Sequence, residues 1–340
     1  MADVGRLAGV SPTTVSFVIN ADGTQTISPA TQQRVFDAVE QLGYRPNRAA
    51  QNLRTQQTST IGVITDEIAV EPFAGQVIAG AHDEAWSQGS MLLVVNTMRS
   101  RPVIEAAVED LLDRQVDAII FASAGTRRVT MPAAVARVPT VLVSCFTAGN
   151  TIPCVLPDEV AGGRAATQLL LDAGHTRVAY LTGAPGAWAT RGRLRGHREA
   201  LAAAGLDPRE QVVVPGNYHA DSGYELTRGL LRTPHLPTGI LCGNDRMALG
   251  AYLALAEAGL RIPEDVSVVG YDDQDPLVTE IRPPLSTVRL PFYEMGRWAA
   301  GRLLSGTTDR LPPRTYLTCP PSPRRSVGPP RIIPVRTPTL

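Results

Sequence analysis

Four short polar side chains stand at the ends of apolar runs: Asp66 after IGVIT, Ser144 after PTVLV, Asn244 after GILCG and Asp272 after VSVVGY. A strand that closes in this way offers hydrogen-bond donors and acceptors at its carboxyl end, where parallel-sheet proteins bind ligands. That chemistry suits a polyol. It does not suit bond breaking, which needs an activated nucleophile or an acid–base pair. The histidines, His82, His175, His197, His219 and His235, lie far apart in sequence, and no two stand at i, i+4 as a metal pair would. GxSxG and P-loop patterns are missing, and no Gly-rich dinucleotide fingerprint follows the first apolar run. The expectation is a binding protein without catalytic residues, metal or cofactor.

A second set lies near the N-terminus. In GVSPTTVSFVIN, Gly9 to Asn20, a helix-ending Gly is followed by Ser11 as an N-cap and Pro12 at a first helical position. Two helices joined by a short Gly turn can form a helix-turn-helix, whose second helix presents its N-terminal residues to base edges in the major groove. Those residues would be Ser11, Pro12, Thr13, Thr14, Ser16 and Phe17, with Asn20 beyond them. An ordinary three-helix bundle has the same pattern, so this stretch alone leaves both readings open.

The elements that must hold these side chains follow from periodicity. Val4, Leu7 and Ala8, then Val15, Val18 and Ile19, then Val35, Ala38, Val39 and Leu42 repeat at helical spacing, and Gly43 stops the third helix. Residues 1–45 therefore read as an all-α head. Residues 46–59 are a polar connector in which Ala49 to Arg54 suits one and a half helical turns, too short to be stable alone. From Thr60, apolar runs alternate with helical stretches. The first series is IGVIT, a helix to about Gly89, MLLVVN, a helix over 102–114, DAIIFAS and PTVLVS. The second is a helix over 160–173, RVAYLTG, a helix over 193–204, QVVVPG, a helix over 221–232, GILCGN, a helix over 246–258 and VSVVGYDD. A last helix spans 292–304. This rhythm predicts two doubly wound α/β lobes with parallel sheets covered on both faces. We assign 60–157 with 289–310 to one lobe and 158–288 with 311–321 to the other. The Pro- and Arg-rich tail, 322–340, is expected to be disordered.

Composition bounds the class. At 340 residues the chain suits two or three domains, and 44% apolar residues suit globular cores. No run reaches the roughly 20 apolar residues of a membrane span, and MADVGRLAGV has no signal-peptide design, so a soluble cytoplasmic protein is expected. Cys145, Cys154, Cys242 and Cys319 lack paired or zinc spacing and read as buried thiols. The net charge is zero, and every basic residue besides His is Arg. Affinity for DNA, which follows the number of phosphates neutralised, would have to come from a small patch and from dimerisation.

Longer motifs resolve the head. DVGRLAGVSPTTVSFVIN, ISPATQQRVFDAVEQLGYRPNRAAQNLRTQQTSTIGVI, GHTRVAYLTG, GNDRMALGAYLALAEAGLRIPEDVSVVGYDD and PPLSTVRLPFYEMG occur in this order. Together they resemble the LacI/GalR family of bacterial transcription regulators over roughly residues 2–320. The resemblance implies a helix-turn-helix head, a hinge helix, a two-lobed effector domain like periplasmic sugar-binding proteins, and a homodimer on a palindromic operator at the nucleoid. It implies a repressor of carbohydrate-utilisation genes relieved by a sugar, with a corepressor-dependent regulator responding to a purine or another small metabolite as the alternative. A pure sugar-binding protein would have no use for the head and hinge. The tail lacks the leucine heptads of a tetramer.

By the same resemblance Leu53 matches a leucine wedge for the minor groove, which bends the duplex in pairs. Ala50 and Arg54 match its companions, and Tyr44 and Asn47 join the DNA-facing set. Arg193 matches a ligand-binding Arg, Asn244, Asp272 and Asp66 match ligand positions, and Tyr218 matches an aromatic that stacks on a sugar. Phe73 and Phe292 are candidates for the apolar wall. Within the pairs, Asp245 rather than Asn244 is expected to cap a helix, and Asp273 to cap a turn. Arg191 and Arg195 are expected to be solvated or salt-bridged. Four departures stand out. Phe17 occupies a position where Arg is common, and it cannot make the bidentate guanine contact of an Arg. Ser144 stands where relatives often have Asp. The loop NADGTQTIS is about two residues longer than usual, and the abrupt start suggests that the true N-terminus lies upstream.

Overall fold

The computed structural model describes residues 1–19, 27–44, 57–67, 75–234, 236–307 and 312–331. Contacts divide the chain into two units, Met1–Thr58 and Ser59–Leu340. The predicted hinge helix over Ala49–Arg54 lies outside the described residues, as do Asn20, Asn47 and Phe73.

The head has three helices, α1 (Ala2–Ala8), α2 (Pro12–Ile19) and α3 (Pro29–Gln41). Gly9 ends α1 at φ 67°, a left-handed conformation that costs a residue with a Cβ more than glycine. Ser11 then accepts from the Thr14 amide at 3.1 Å, and Ser28 caps α3 by accepting from the Thr31 amide. Val4, Ala8, Val15, Val18, Val35 and Ala38 form the core. Leu7 and Leu42 have helical spacing but remain about half exposed, as does Phe36.

The larger unit has two parallel sheets. One orders its strands β11-β5-β4-β3-β1-β2, with β1 Thr60–Thr65, β2 Met91–Asn96, β3 Ala118–Val129, β4 Thr140–Thr147, β5 Cys154–Pro157 and β11 Arg314–Leu317. The other orders β7-β6-β8-β9, with β6 Val178–Thr182, β7 Val212–Pro215, β8 Gly239–Cys242 and β9 Ser267–Val269. Strands β4, β5, β6, β8 and β9 are buried throughout. The runs MLLVVN and QVVVPG are equally apolar, yet they form the half-exposed edges β2 and β7. The order reverses beside β1 in one sheet and beside β6 in the other, and the crevice outside those carboxyl ends is the ligand position of such folds.

Helices cover the sheets: α4 (Gln76–Ser87), α5 (Arg101–Asp113), α6 (Glu159–Asp172), α7 (Trp188–Ala203), α8 (Ala220–Leu231), α9 (Asp245–Glu257), a short α10 (Leu277–Glu280) and α11 (Phe292–Leu304). Helix α7 starts a turn earlier than predicted, at Trp188. Three neighbouring pairs, α4 with α11, α6 with α7 and α8 with α9, meet at glycines. A Cβ on Gly80, Gly296, Gly196, Gly223 or Gly250 would lie about 2 Å from a carbonyl oxygen of the facing helix. Backbones this close leave no room for alanine.

Two sequence expectations are corrected. Residues 311–321 were assigned to the second lobe, but Arg314–Leu317 extends the first sheet by pairing with β5. The second lobe is joined at Pro321–Ser322 (β12), which pairs antiparallel with β10, Thr287–Val288. The described part of the tail, 322–331, is ordered. Ser326 is fully buried: its hydroxyl donates to Val268 O at 2.6 Å and accepts from Ser286 N, while its carbonyl accepts from Val268 N. This segment satisfies backbone groups at the edge of β9, an end that proline-rich composition does not reveal. All four cysteines are buried and free. Among the described residues no helix is long and apolar enough to cross a membrane, and no His, Cys, Asp and Glu group is arranged to hold a metal.

Candidate functional site

Between the lobes lies a cleft of about 460 Å³. The first lobe contributes Glu67, Arg99, Ala124–Thr126 of β3, Ser144 and Pro157; the second contributes Glu159, Arg193, Asn217, Tyr218, His219, Asn244, Arg246 and Asp272; Leu290 and Phe292 close it. Arg99, Ser144, Tyr218 and Asp272 have positive φ, at 59°, 54°, 70° and 111°. Each such non-glycine residue costs about 1–3 kcal/mol, and such strain collects at binding sites.

Arg193 is the centre of the second-lobe wall. It is 4% exposed, and helix α7 places it between two carboxylates. Its Nε donates to Glu159 Oε2 at 2.7 Å, its Nη1 to Gly243 O at 2.6 Å, and its Nη2 lies 3.4 Å from Asp272 Oδ1. The guanidinium also stacks over the Tyr271 ring at 3.6 Å. Two carboxylates against one cation leave a buried excess of negative charge. Burial pushes Asp272 up to about 6, against the pull of Arg193. Burial and the nearby Asp272 also push Asp245 well above the usual carboxylate range. A hydroxyl entering here can donate to Asp272 and accept from the guanidinium.

On the first-lobe wall the hydroxyls of Thr126 and Ser144 are buried with no hydrogen-bond partner among the described residues. Buried polar groups are rarely left unpaired in a finished structure, so two orphans in one cleft mark places for ligand atoms. Sequence reading found Ser144 from the end of the apolar run PTVLV, although β4 itself runs on to Thr147. It missed Thr126, in the irregular stretch of β3 where the pairing with β4 shifts register, and Glu159, hidden in what reads as an ordinary helix start.

The sequence candidates divide. Arg193, Tyr218, Ser144, Asp272, Asn244 and Phe292 come together at the cleft. Asp66 does not line it. Its carboxylate is wholly buried and accepts from the amides of Glu67 and Ala124, the Ser123 hydroxyl and Arg127. Burial raises its pKa, but these donors outweigh burial and leave it lowered. Asp66 ties the end of β1 to the irregular stretch within β3, and Glu67 takes the cleft position. The cap expected at Asp245 belongs to Asn244, which also lines the cleft. Asn244 caps α9 by accepting from Met247 N at 2.9 Å and donates to Tyr218 O at 3.0 Å. Asp245 lies inside, accepting from the Thr287 hydroxyl and the Gln274 amide. The Tyr218 hydroxyl bonds to Thr190 at 2.7 Å, and its ring lies flat against Gly183, where a Cβ would overlap it. Arg195 pairs with Glu199, and Arg191 is exposed beside Trp188. Asp273 binds Arg324 and Ser322.

In the head, Ser11, Pro12 and Thr13 are exposed at the start of α2, and Thr14, Ser16 and Phe17 are half-buried beside them, while Val15 and Val18 face the core. This is the division a groove-reading helix requires. Tyr44 packs on the core from the far end of α3. Ala50, Leu53 and Arg54 lie outside the described residues.

Comparison with known proteins agrees with both units. Residues 1–47 match bacterial regulatory proteins of the lacI family, and residues 167–327 match a periplasmic binding protein-like domain. The chain is 34% identical over 311 residues to the ribose operon repressor of Escherichia coli strain K12, covering 91% of this chain and 93% of that one. It superposes on the Lac repressor dimer bound to operator and the anti-inducer ONPF with a TM-score of 0.76 at 30% identity, covering 96% of this chain and 98% of that one. On the complex of the regulator CelR with cellobiose the TM-score is 0.65 at 32% identity, with the same coverage. A groove-reading head, two parallel-sheet lobes around a strained polar cleft, and these likenesses along nearly the whole chain lead to one assignment: the chain belongs to the LacI family of bacterial regulatory proteins, not to a family of enzymes.

Proposed function

We propose that the protein is a ligand-responsive, sequence-specific DNA-binding repressor, and that a sugar in the interlobe cleft releases it from its operator. The observation that carries the sugar is the pair of buried, unpartnered hydroxyls of Thr126 and Ser144 on one wall, with Arg193 and Asp272 on the other. A compound rich in hydroxyls can complete both walls. A ribose operon repressor and a cellobiose-bound regulator among the relatives support the same class. The ligand acts only through its difference in affinity for the two lobe arrangements. The chain from the head enters the first lobe at β1, the covalent route by which a change in the lobes would reach the head.

The proposed assembly is a homodimer through the β2 edge. Trp86, Met91, Leu93, Val94, Met98 and Val103 leave an exposed apolar edge there, with Trp86 68% exposed. Two heads would then read two half-sites.

The test selects bound sequences from random duplex DNA at about physiological salt, then challenges the complex with sugars and purines. A palindromic consensus released by a sugar supports the reading. Release by no sugar, with tighter binding in a purine, favours a corepressor. No enriched sequence counts against a DNA-binding repressor. Phe17→Arg should shift one base pair toward guanine; an unchanged consensus would remove Phe17 from base reading.

A further inference from the structure

Asp272 holds its place at the cleft at φ 111°, and Asp273 follows at φ 60°. Two successive left-handed residues without glycine do not persist unless something outside the turn holds them. The holder is the C-terminal segment. It leaves the first-lobe sheet at Leu317, pairs with β10 at Pro321–Ser322, and then clasps Asp273. The Ser322 hydroxyl donates to Asp273 Oδ2 at 2.8 Å, and Arg324 Nη2 donates to Oδ1 at 2.7 Å. Arg324 is itself fixed: its Nη1 donates to Leu285 O at 3.0 Å and its amide to Ser286 Oγ at 2.9 Å. Ser326 is buried two residues on. Both carboxylate oxygens of Asp273 are thus taken by the strap. Asp272 is held separately: its amide donates to Val288 O at 2.8 Å, its carbonyl accepts from Leu290 N at a long 3.4 Å, and its Oδ2 accepts from Gln274 Nε2 at 3.2 Å.

We propose that Ser322 and Arg324 are positioning residues for the ligand site. By holding Asp273 they keep Asp272 in the turn that sets its carboxylate beside Arg193. The same strap begins in the first-lobe sheet, so rotation of the lobes pulls on the loop that touches ligand. Neither residue lines the cleft, and neither touches ligand. The inference rests on the sugar-binding reading above.

The experiment titrates the full chain by calorimetry with D-ribose, D-glucose, D-galactose, D-fructose and cellobiose. It compares the wild type with Arg324→Gln, Arg324→Lys and Arg331→Gln. Arg331 pairs with Asp265 at the far end of the same segment, so its variant weakens the strap without touching Asp273. Arg324→Gln is expected to weaken the bound sugar about tenfold, the order of one charge-assisted hydrogen bond. Arg324→Lys should recover most of that loss, and Arg331→Gln should bind as the wild type does. Equal affinity in wild type and Arg324→Gln overturns the clamp and leaves the sugar reading standing. Equal weakening in Arg324→Gln and Arg331→Gln, with a matching fall in Tm, also overturns it, because the strap then acts through stability alone. A wild type that binds none of the sugars overturns the sugar reading and the clamp with it.

Discussion

The imidazole of His197 is fully buried one helical turn beyond Arg193, and its Nδ1 lies 2.9 Å from the Thr167 hydroxyl. That hydroxyl gives its own proton to Gly163 O, so it accepts from Nδ1–H and leaves Nε2 without a proton. Nε2 has no partner among the described residues. Burial, reinforced by Arg198, lowers the His197 pKa from 6.5 to about 4. The folded state therefore binds fewer protons than the unfolded chain between these values. The stabilising contribution is present above pH 6.5 and is lost as pH falls through about 4. Urea unfolding at pH 7.5 and pH 4.5 should show a larger loss for the wild type than for His197→Gln. Identical losses would mean that the imidazole is not held neutral.

Helices α8 and α9 show how elements of this protein approach one another. A Cβ on Gly250 would lie 1.9 Å from Ala220 O, whereas one on Gly229 of α8 meets nothing within 4 Å. Gly250→Ala must push a carbonyl away and should cost about 2 kcal/mol or more, the scale of overpacking. Gly229→Ala relieves a helical glycine and should stabilise by up to about 1 kcal/mol. Thermal unfolding of the two variants should move in opposite directions. If both fall, or both rise, glycine-mediated helix contact does not explain the packing.

For the whole molecule, the exposed β2 edge is where the proposed homodimer can be tested. A head with a core of six small side chains offers few phosphate contacts, and two heads double them. Val94, 41% exposed on β2, is the position to test. Val94→Asp should convert dimer to monomer in light scattering and weaken operator binding by about a hundredfold or more, because the binding energy of the second half-site is lost. A Val94→Asp protein that stays dimeric would place the interface elsewhere.

Local chemistry was written plainly in the residues. Ser11-Pro12 and Ser28-Pro29 announce helices, alternating apolar runs announce parallel strands, and Asp272 and Ser144 follow from the ends of apolar runs, because caps, periods and runs depend on neighbours along the chain. Tertiary structure decided what depends on distant partners. MLLVVN and IGVIT read alike, but only pairing makes one an edge and the other a centre. Asp66 and Asp272 both end strands, yet Arg127 and Ser123 turn the first inward while Arg193 holds the second at the cleft. Thr126 carries no local signal, since its role comes from the lobe it faces. The tail reads as disordered by composition, and Ser326 is ordered because the edge of β9 had backbone groups to satisfy.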